Sequence, residues 1–381
     1  MKFNKWTVAL AAIGVVNLTS AARADEKISQ VQTALSNTTL SGYVDTAAVW
    51  NLGPNYGGTP PGVKTDGFYM NVVDLVLDKP EDESPWASGY HVELQIGPDT
   101  AAVPTQAYIT LRTPVGNGID WKIGIWDTIV GYESLNDPAN PNYTRSYAFG
   151  LEPTTHTGVL GTYKVSDMVT VQAGVSDSGF GNGGVAGGAN NTATLESQKA
   201  YMGDVQLTAP DSWGWVKGAT LYVGAINSDD SGTGTGATWF YIGSTMPTPL
   251  AALKVGGSFD YVDLHNAGAP GNSADDNTWD IALYSTYQAS DKLSLNFRGE
   301  YLNRSETGGV GLPTSSAPFG STSNAEEFTA TVQYNLWANV LSRVEFRWDH
   351  NENEGAGDSG YGATGGNHNN FMLAANLIYQ F

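Results

Sequence analysis

Phe371-Met-Leu-Ala-Ala-Asn-Leu-Ile-Tyr-Gln-Phe381, the last eleven residues, is the stretch on which the fold turns. Phe371, Leu373, Ala375, Leu377, Tyr379 and Phe381 share one parity, while Asn370, Asn376 and Gln380 fall on the other. A period of two is the period of a strand, and one face of this strand wants hydrocarbon up to the terminal ring. A soluble sandwich can also end on such a strand, so the rest of the chain must decide between a sandwich and a membrane barrel.

Upstream, segments of about 8 to 12 residues alternate in the way expected of strands with a different solvent on each face. Sixteen are predicted: Leu40–Trp50, Tyr69–Leu77, Gly89–Gly97, Gln106–Thr113, Ile119–Trp126, Thr155–Lys164, Met168–Ser176, Lys199–Ala209, Ala219–Asn227, Ala237–Met246, Ala251–Asp263, Asn277–Gln288, Leu293–Asn303, Glu327–Asn335, Val340–Asp349 and Asn369–Phe381. In the third, Tyr90, Val92, Leu94 and Ile96 oppose His91, Glu93 and Gln95. Connections after even-numbered segments are short, and those after odd-numbered segments are mostly long and rich in Gly, Asn and Asp. Short turns on one rim and long loops on the other are the habit of an outer-membrane barrel, and an even strand number puts both ends on the turn rim. Trp86, Trp213, Trp215 and Trp337 fall near turns, and Trp50, Trp239, Trp279 and Trp348 near loop ends, as two interfacial girdles would require. The expected fold is therefore all-β, a transmembrane antiparallel up-and-down barrel of about sixteen strands with long extracellular loops and short periplasmic turns.

Composition agrees. The chain of 381 residues has 46 Gly, 19 Tyr, 11 Trp and no Cys, which removes disulfides, thiolate metal sites and cysteine nucleophiles together. Its net charge of -20 argues against nucleic acid as a partner. Residues 1–24 read as a signal peptide: Lys2 and Lys5, an apolar run from Trp6 to Leu18, and Ala22-Arg23-Ala24 ahead of Asp25. Residues 25–37 read as a periplasmic or lumenal leader, and 38–381 as the barrel. Beyond the signal no apolar run reaches the roughly 18 residues of a membrane helix, so spanning requires a closed barrel.

Sixteen strands enclose water rather than a packed interior. Leu293, Leu295, Phe297 and Tyr301 are assigned to lipid, and Ser294, Asn296, Arg298 and Glu300 to the lumen. Val344, Phe346 and Trp348 likewise oppose Arg343, Glu345, Arg347 and Asp349, and the same parity puts Glu93 and Arg112 on the pore side. The connection from Asp127 to Thr154 is long and carries Tyr132, Leu135, Tyr143, Tyr147, Phe149 and Leu151, which would be wasted in open water. It is expected to fold into the barrel and narrow the pore, with Asp127, Glu133, Asp137 and Arg145 near the constriction and Arg298, Arg343 and Arg347 as an opposing basic wall. A lid over the mouth or a subunit contact is the plainer alternative for this loop.

Gln106 to Glu133 (Q-A-Y-I-T-L-R-T-P-V-G-N-G-I-D-W-K-I-G-I-W-D-T-I-V-G-Y-E), then Asn140 to Tyr147 (N-P-N-Y-T-R-S-Y), Thr155 to Val159 (T-H-T-G-V) and Val344 to His350 (V-E-F-R-W-D-H), resemble the OmpL-like β-barrel porins, with Ile129 where that pattern carries proline. The resemblance implies a bacterial outer-membrane porin passing small hydrophilic solutes and ions by diffusion, with no catalytic residue and no cofactor. Its partners would be outer-membrane lipid and, through the strand ending in Phe381, the barrel-assembly machinery, and its assembly could be a homotrimer. A barrel hydrolase built around His156, an adhesin or structural barrel with a closed lumen, and a gated transporter are the rival readings. No metal site is expected: Asp349, Asn351 and Asn353 begin like a calcium loop, but Gly355 comes one place late and Gly360 stands where Glu is needed.

Overall fold

The computed structural model describes residues 37–52, 64–177, 179, 199–228, 236–267, 274–304, 324–352 and 368–381. The signal peptide, nearly all of the leader, and most of the long connections expected after Ser176, Asn303 and Asp349 lie outside them. No helix of the described residues is long and apolar enough to cross a membrane.

Sixteen antiparallel strands, each hydrogen-bonded to its neighbours in sequence, close into one barrel. They are β1 (Thr39–Asn51), β2 (Gly67–Lys79), β3 (Ser88–Gly97), β4 (Thr100–Thr113), β5 (Ile119–Asp127), β6 (Thr155–Lys164), β7 (Val169–Ser176), β8 (Ala200–Thr208), β9 (Thr220–Ser228), β10 (Gly236–Pro247), β11 (Leu253–Ala267), β12 (Ala274–Gln288), β13 (Leu293–Arg304), β14 (Ala325–Trp337), β15 (Val340–Asn351) and β16 (Asn369–Gln380). Every expected strand is present. The largest difference is β4, which begins at Thr100, so the β3–β4 connection is a tight turn. Bulges opposite Glu93/Leu94 and Gln95/Gly97 absorb the extra residues around Pro104, which cannot donate to a ladder.

Closure is made by β1 on β16, from Tyr43 opposite Gln380 to Asn51 opposite Met372. Reciprocal bonds at the rim, Gly42 N–H to Phe381 O (3.2 Å) and Phe381 N–H to Gly42 O (3.0 Å), fasten the final residue. Between β14 and β15 the chain turns through Ala338 and Asn339, and Asn339 takes φ +65°, a left-handed conformation that asparagine tolerates. Gly124 in β5 sits at φ +136°, and a Cβ there would lie 2.2 Å from the Ala107 carbonyl oxygen. Only glycine fits.

Outside, Phe240, Ile242, Val344, Leu377 and their neighbours present apolar side chains to lipid, and Trp86, Trp213, Trp215 and Trp337 stand exposed at the turn rim. Trp239 departs from the expected girdle. Period two sends Phe240 and Ile242 outward, so Trp239 and Tyr241 point inward, and Trp239 is 4% exposed. It joins an apolar cluster of Trp126, Leu160, Met202, Ile226, Tyr241, Val262, Leu264 and Leu302 on the inner wall. Apart from Leu160 near the middle of β6, these residues sit in the strand halves nearer the long loops. A purely water-filled lumen would not carry them.

Candidate functional site: a loop fastened across the lumen

The chain between β5 and β6 covers that apolar patch. Thr128 N–H donates to Thr154 O at 3.0 Å and closes the neck of the loop. Val130, Tyr147 and Leu151 then pack into the cluster, and the Trp239 indole donates to Leu151 O at 2.9 Å. Burying an apolar side chain of this size contributes about 1.5–3 kcal/mol, so the aliphatic and aromatic residues of the loop have a physical destination. A one-turn helix, α1 (Tyr147–Leu151), forms here because Ser146 caps it, accepting the Phe149 N–H at 3.1 Å.

The tip is held by its own side chains. Asn140 accepts the Ser134 N–H (2.9 Å) and donates to Ser134 O (2.9 Å) and Asn136 O (2.8 Å). Arg145 donates to Ser134 O at 3.0 Å and pairs with Asp137 at 2.7 Å.

From root to tip the loop crosses the bore. In the closed ring β14 lies eight strands from β6 one way and seven from β5 the other, and the anchors of the tip cluster there. Glu345 of β15 accepts the Thr144 N–H (2.9 Å), the Thr144 hydroxyl (2.7 Å), the Thr331 hydroxyl (2.7 Å) and the Tyr143 N–H. Arg298 of β13 pairs with Glu133 of the loop (2.7 Å) and Glu327 of β14 (2.8 Å), and donates to Thr144 O (2.8 Å) and Arg145 O (3.1 Å). Arg347 donates to Arg145 O at 2.7 Å while held by Asp349, which also accepts the Tyr147 hydroxyl at 2.6 Å. Arg343 donates to Asp137 O and Asn140 O. Asp137 N–H donates to the Tyr43 hydroxyl of β1 at 3.1 Å. Along the return, Ala148 N–H donates to Glu300 (2.9 Å), and Tyr132 stacks on Tyr284 with centroids 4.1 Å apart.

Of the expected site residues, Glu133, Asp137, Arg145, Arg298, Glu300, Arg343, Glu345 and Arg347 therefore come together at the loop. The arginines do not form a basic wall facing the loop across open water. They are buried beneath it, because loop carbonyls and neighbouring carboxylates offer guanidinium forks better partners than water does. Arg112 stands apart at the turn rim, paired with Asp120 and bonded to Asn117 O at 2.7 Å. Asp127 ends β5 at the loop root, and one of its buried oxygens has no hydrogen-bond partner. Glu93 is buried in the wall of β3, accepting from Gln106 (2.7 Å) and Gln95 (3.1 Å). There His91 stacks on Tyr108, whose ring also carries the Lys122 ammonium 4.7 Å from its centroid, and Gln206, Gln172 and Thr162 form a hydrogen-bonded row. His156 serves the loop root, meeting the Thr128 hydroxyl at 3.0 Å and tilted against Trp126.

Several site residues are not singled out by sequence: Tyr43, Thr331, Asn140, Trp239, Asp260 and Asp280. Asp260 and Asp280 carried a signal as acids on the inward parity of β11 and β12, and Trp239 carried one in its parity beside Phe240 and Ile242. Outside the strands, burial and the facing carboxyls of Asp260, Glu133 and Glu300 push the Glu152 carboxyl well above its ordinary range. In the β2–β3 turn, burial and nearby Asp120 raise Glu81 to about 7.

Comparison with known proteins extends the picture beyond geometry. The model of the family described as "Putative beta-barrel porin-2, OmpL-like" matches residues 37–381. No curated relative matches the sequence. Among solved structures, the outer membrane channel DcaP of Acinetobacter baumannii is similar at TM-score 0.62 and 12% identity, covering 90% of this chain and 97% of that one. The anion-selective porin from Comamonas acidovorans is similar at 0.59 and 12%, covering 90% and 99%. The trimer form of OmpT of Vibrio cholerae is similar at 0.59 and 14%, also covering 90% and 99%. At these identities the structures establish a shared fold.

Proposed function

Because the chain belongs to the OmpL-like β-barrel porin family, and so is an outer-membrane channel of a bacterium, we propose that the loop between β5 and β6 sets the width of that channel. The observation that carries this is the attachment of Tyr143, Thr144 and Arg145 to Glu345, Arg298 and Arg347, half way round the barrel from the loop root. A segment anchored on both sides of a bore leaves solutes only the space beside it. The half-buried polar wall of Gln106, Tyr108, Lys122 and Gln172 suits small hydrophilic solutes and ions moving by diffusion.

Family and fold point to a channel rather than an enzyme. The proposed preference is for cations. The chain carries 38 acids against 18 bases, and Arg298, Arg343 and Arg347 are committed to the loop. The trimer form of OmpT supports a homotrimer as the working assembly, to be read from cross-linking in native membranes.

The test is single-channel current in a planar bilayer under a salt gradient, with the same protein carrying a deletion within residues 136–146. Larger ohmic steps in the deletion variant and a cation-selective reversal potential are expected. Equal steps in the two proteins refute the constriction, and an anion-selective potential refutes the preference.

A further inference from the structure

We propose that the constriction is proton-linked: a row of four carboxyls, Glu152 on the loop and Asp260, Asp280 and Glu300 on the wall, holds the returning arm of the loop against β11–β13 only while the row carries protons. The proposal rests on the reading of the loop as a constriction and adds what regulates it.

Glu152 follows α1 and closes it, its N–H donating to Ala148 O at 3.1 Å. Its side chain lies within hydrogen-bonding reach of the Asp260 carboxyl. Asp260 faces Asp280 directly across the β11–β12 ladder, and Asp280 reaches Glu300 on β13. Glu300 turns one oxygen to the Ala148 N–H. Its other oxygen, both oxygens of Asp280 and one of Asp260 are buried with no donor except a proton shared among themselves. The remaining groups facing the row give no relief. From the loop comes Glu133, from β10 the Tyr241 hydroxyl and from β12 that of Tyr284. The base nearest the row, Arg298 of β13, already serves Glu133, Glu327 and two loop carbonyls.

Two adjacent carboxyls in a water-poor site cannot both ionise cheaply, and a shared proton turns their repulsion into a strong hydrogen bond. Glu152 is the mobile member, because releasing the arm returns it to water and to the ordinary carboxylate range. Its affinity for a proton is thus higher docked than released. Docking is strongest below that ordinary range and weakens as pH climbs through it. The bore is narrow in acid and relaxes towards neutral and alkaline pH.

The native chain has no cysteine, so Phe149→Cys on α1 supplies a unique thiol for a charged methanethiosulfonate reagent in folded, membrane-reconstituted protein. The rate is taken at pH 5 and pH 8 in the native background and in E152Q/D260N, and the ratio of backgrounds cancels the reagent's own pH dependence. The native-to-variant ratio is expected to rise on the order of tenfold between the two pH values, the factor that one unit of differential proton affinity produces. An unchanged ratio overturns the proposal. If the double variant does not fold, E152Q alone, on the loop, takes its place with the same two outcomes. The deletion within residues 136–146 separates the two readings: equal conductance there removes the constriction, whereas an unchanged labelling ratio removes only its proton linkage.

Discussion

Glu345 is the residue on which most of the loop depends, since one carboxylate receives two backbone N–H groups and two hydroxyls. Glu345→Ala leaves those donors buried without an acceptor and should cost about 3–5 kcal/mol of loop attachment, the penalty of breaking a buried charged network. Single-channel records of that variant should show wider, noisier open steps while heat-modifiability in gels remains, because the strands are untouched. At the turn rim, Glu81 has a proton affinity raised to about 7 by burial and by Asp120. A carboxyl raised in the folded state withdraws stability as pH climbs from its unfolded value through 7, so Glu81→Gln should raise the unfolding temperature at pH 8 and leave it unchanged at pH 4. The effect is modest, since the group is half exposed. Gly124→Ala should fail to accumulate as folded barrel, because the new Cβ has no room against Ala107 O.

At the scale of the element, the loop combines two kinds of attachment that act at different places. Near the root, Val130, Tyr147 and Leu151 bury apolar surface on the inner wall, and at the far side arginines and Glu345 bind backbone groups. Leu151→Asp should detach the first without removing any of the second, and we expect faster proteolysis of the loop in folded protein with the barrel itself resistant. The composition of this connection disclosed its inward course, since six aromatic and aliphatic residues needed a partner surface. Its destination was not legible. A polar parity on β13–β15 announces lumen-facing Arg298, Arg343 and Arg347, yet whether they face water or a loop carbonyl depends on a segment about 150 to 200 residues away in sequence. Trp239 was misplaced for a related reason. A tryptophan at a strand end satisfies a girdle equally well by position, and only its parity beside Phe240 and Ile242 distinguishes an inner anchor from an outer one.

The whole molecule is a barrel whose inward carboxylates outnumber its uncommitted bases, and the proposed cation preference belongs to that scale rather than to any one residue. Because the arginines are already paired, neutralising Asp204, an inward carboxylate of β8 that makes no ion pair with them, should lower the cation-to-anion permeability ratio. Reversal potentials of Asp204→Asn against the parent at equal salt gradients check this, and the difference should shrink at molar salt, where the Debye length is about 3 Å.

The sequence by itself determined the sixteen strands, the rim at which they turn and the side on which each residue stands, because period two and turn chemistry are local and lipid on one face enforces them. Tertiary structure alone decided what the lumen contains. Barrel closure brings β5–β6 and β13–β15 to opposite sides of one bore, and only then can Thr144 find Glu345 and Glu152 meet Asp260. Local periodicity assigns a face. It takes the closed ring to assign a partner.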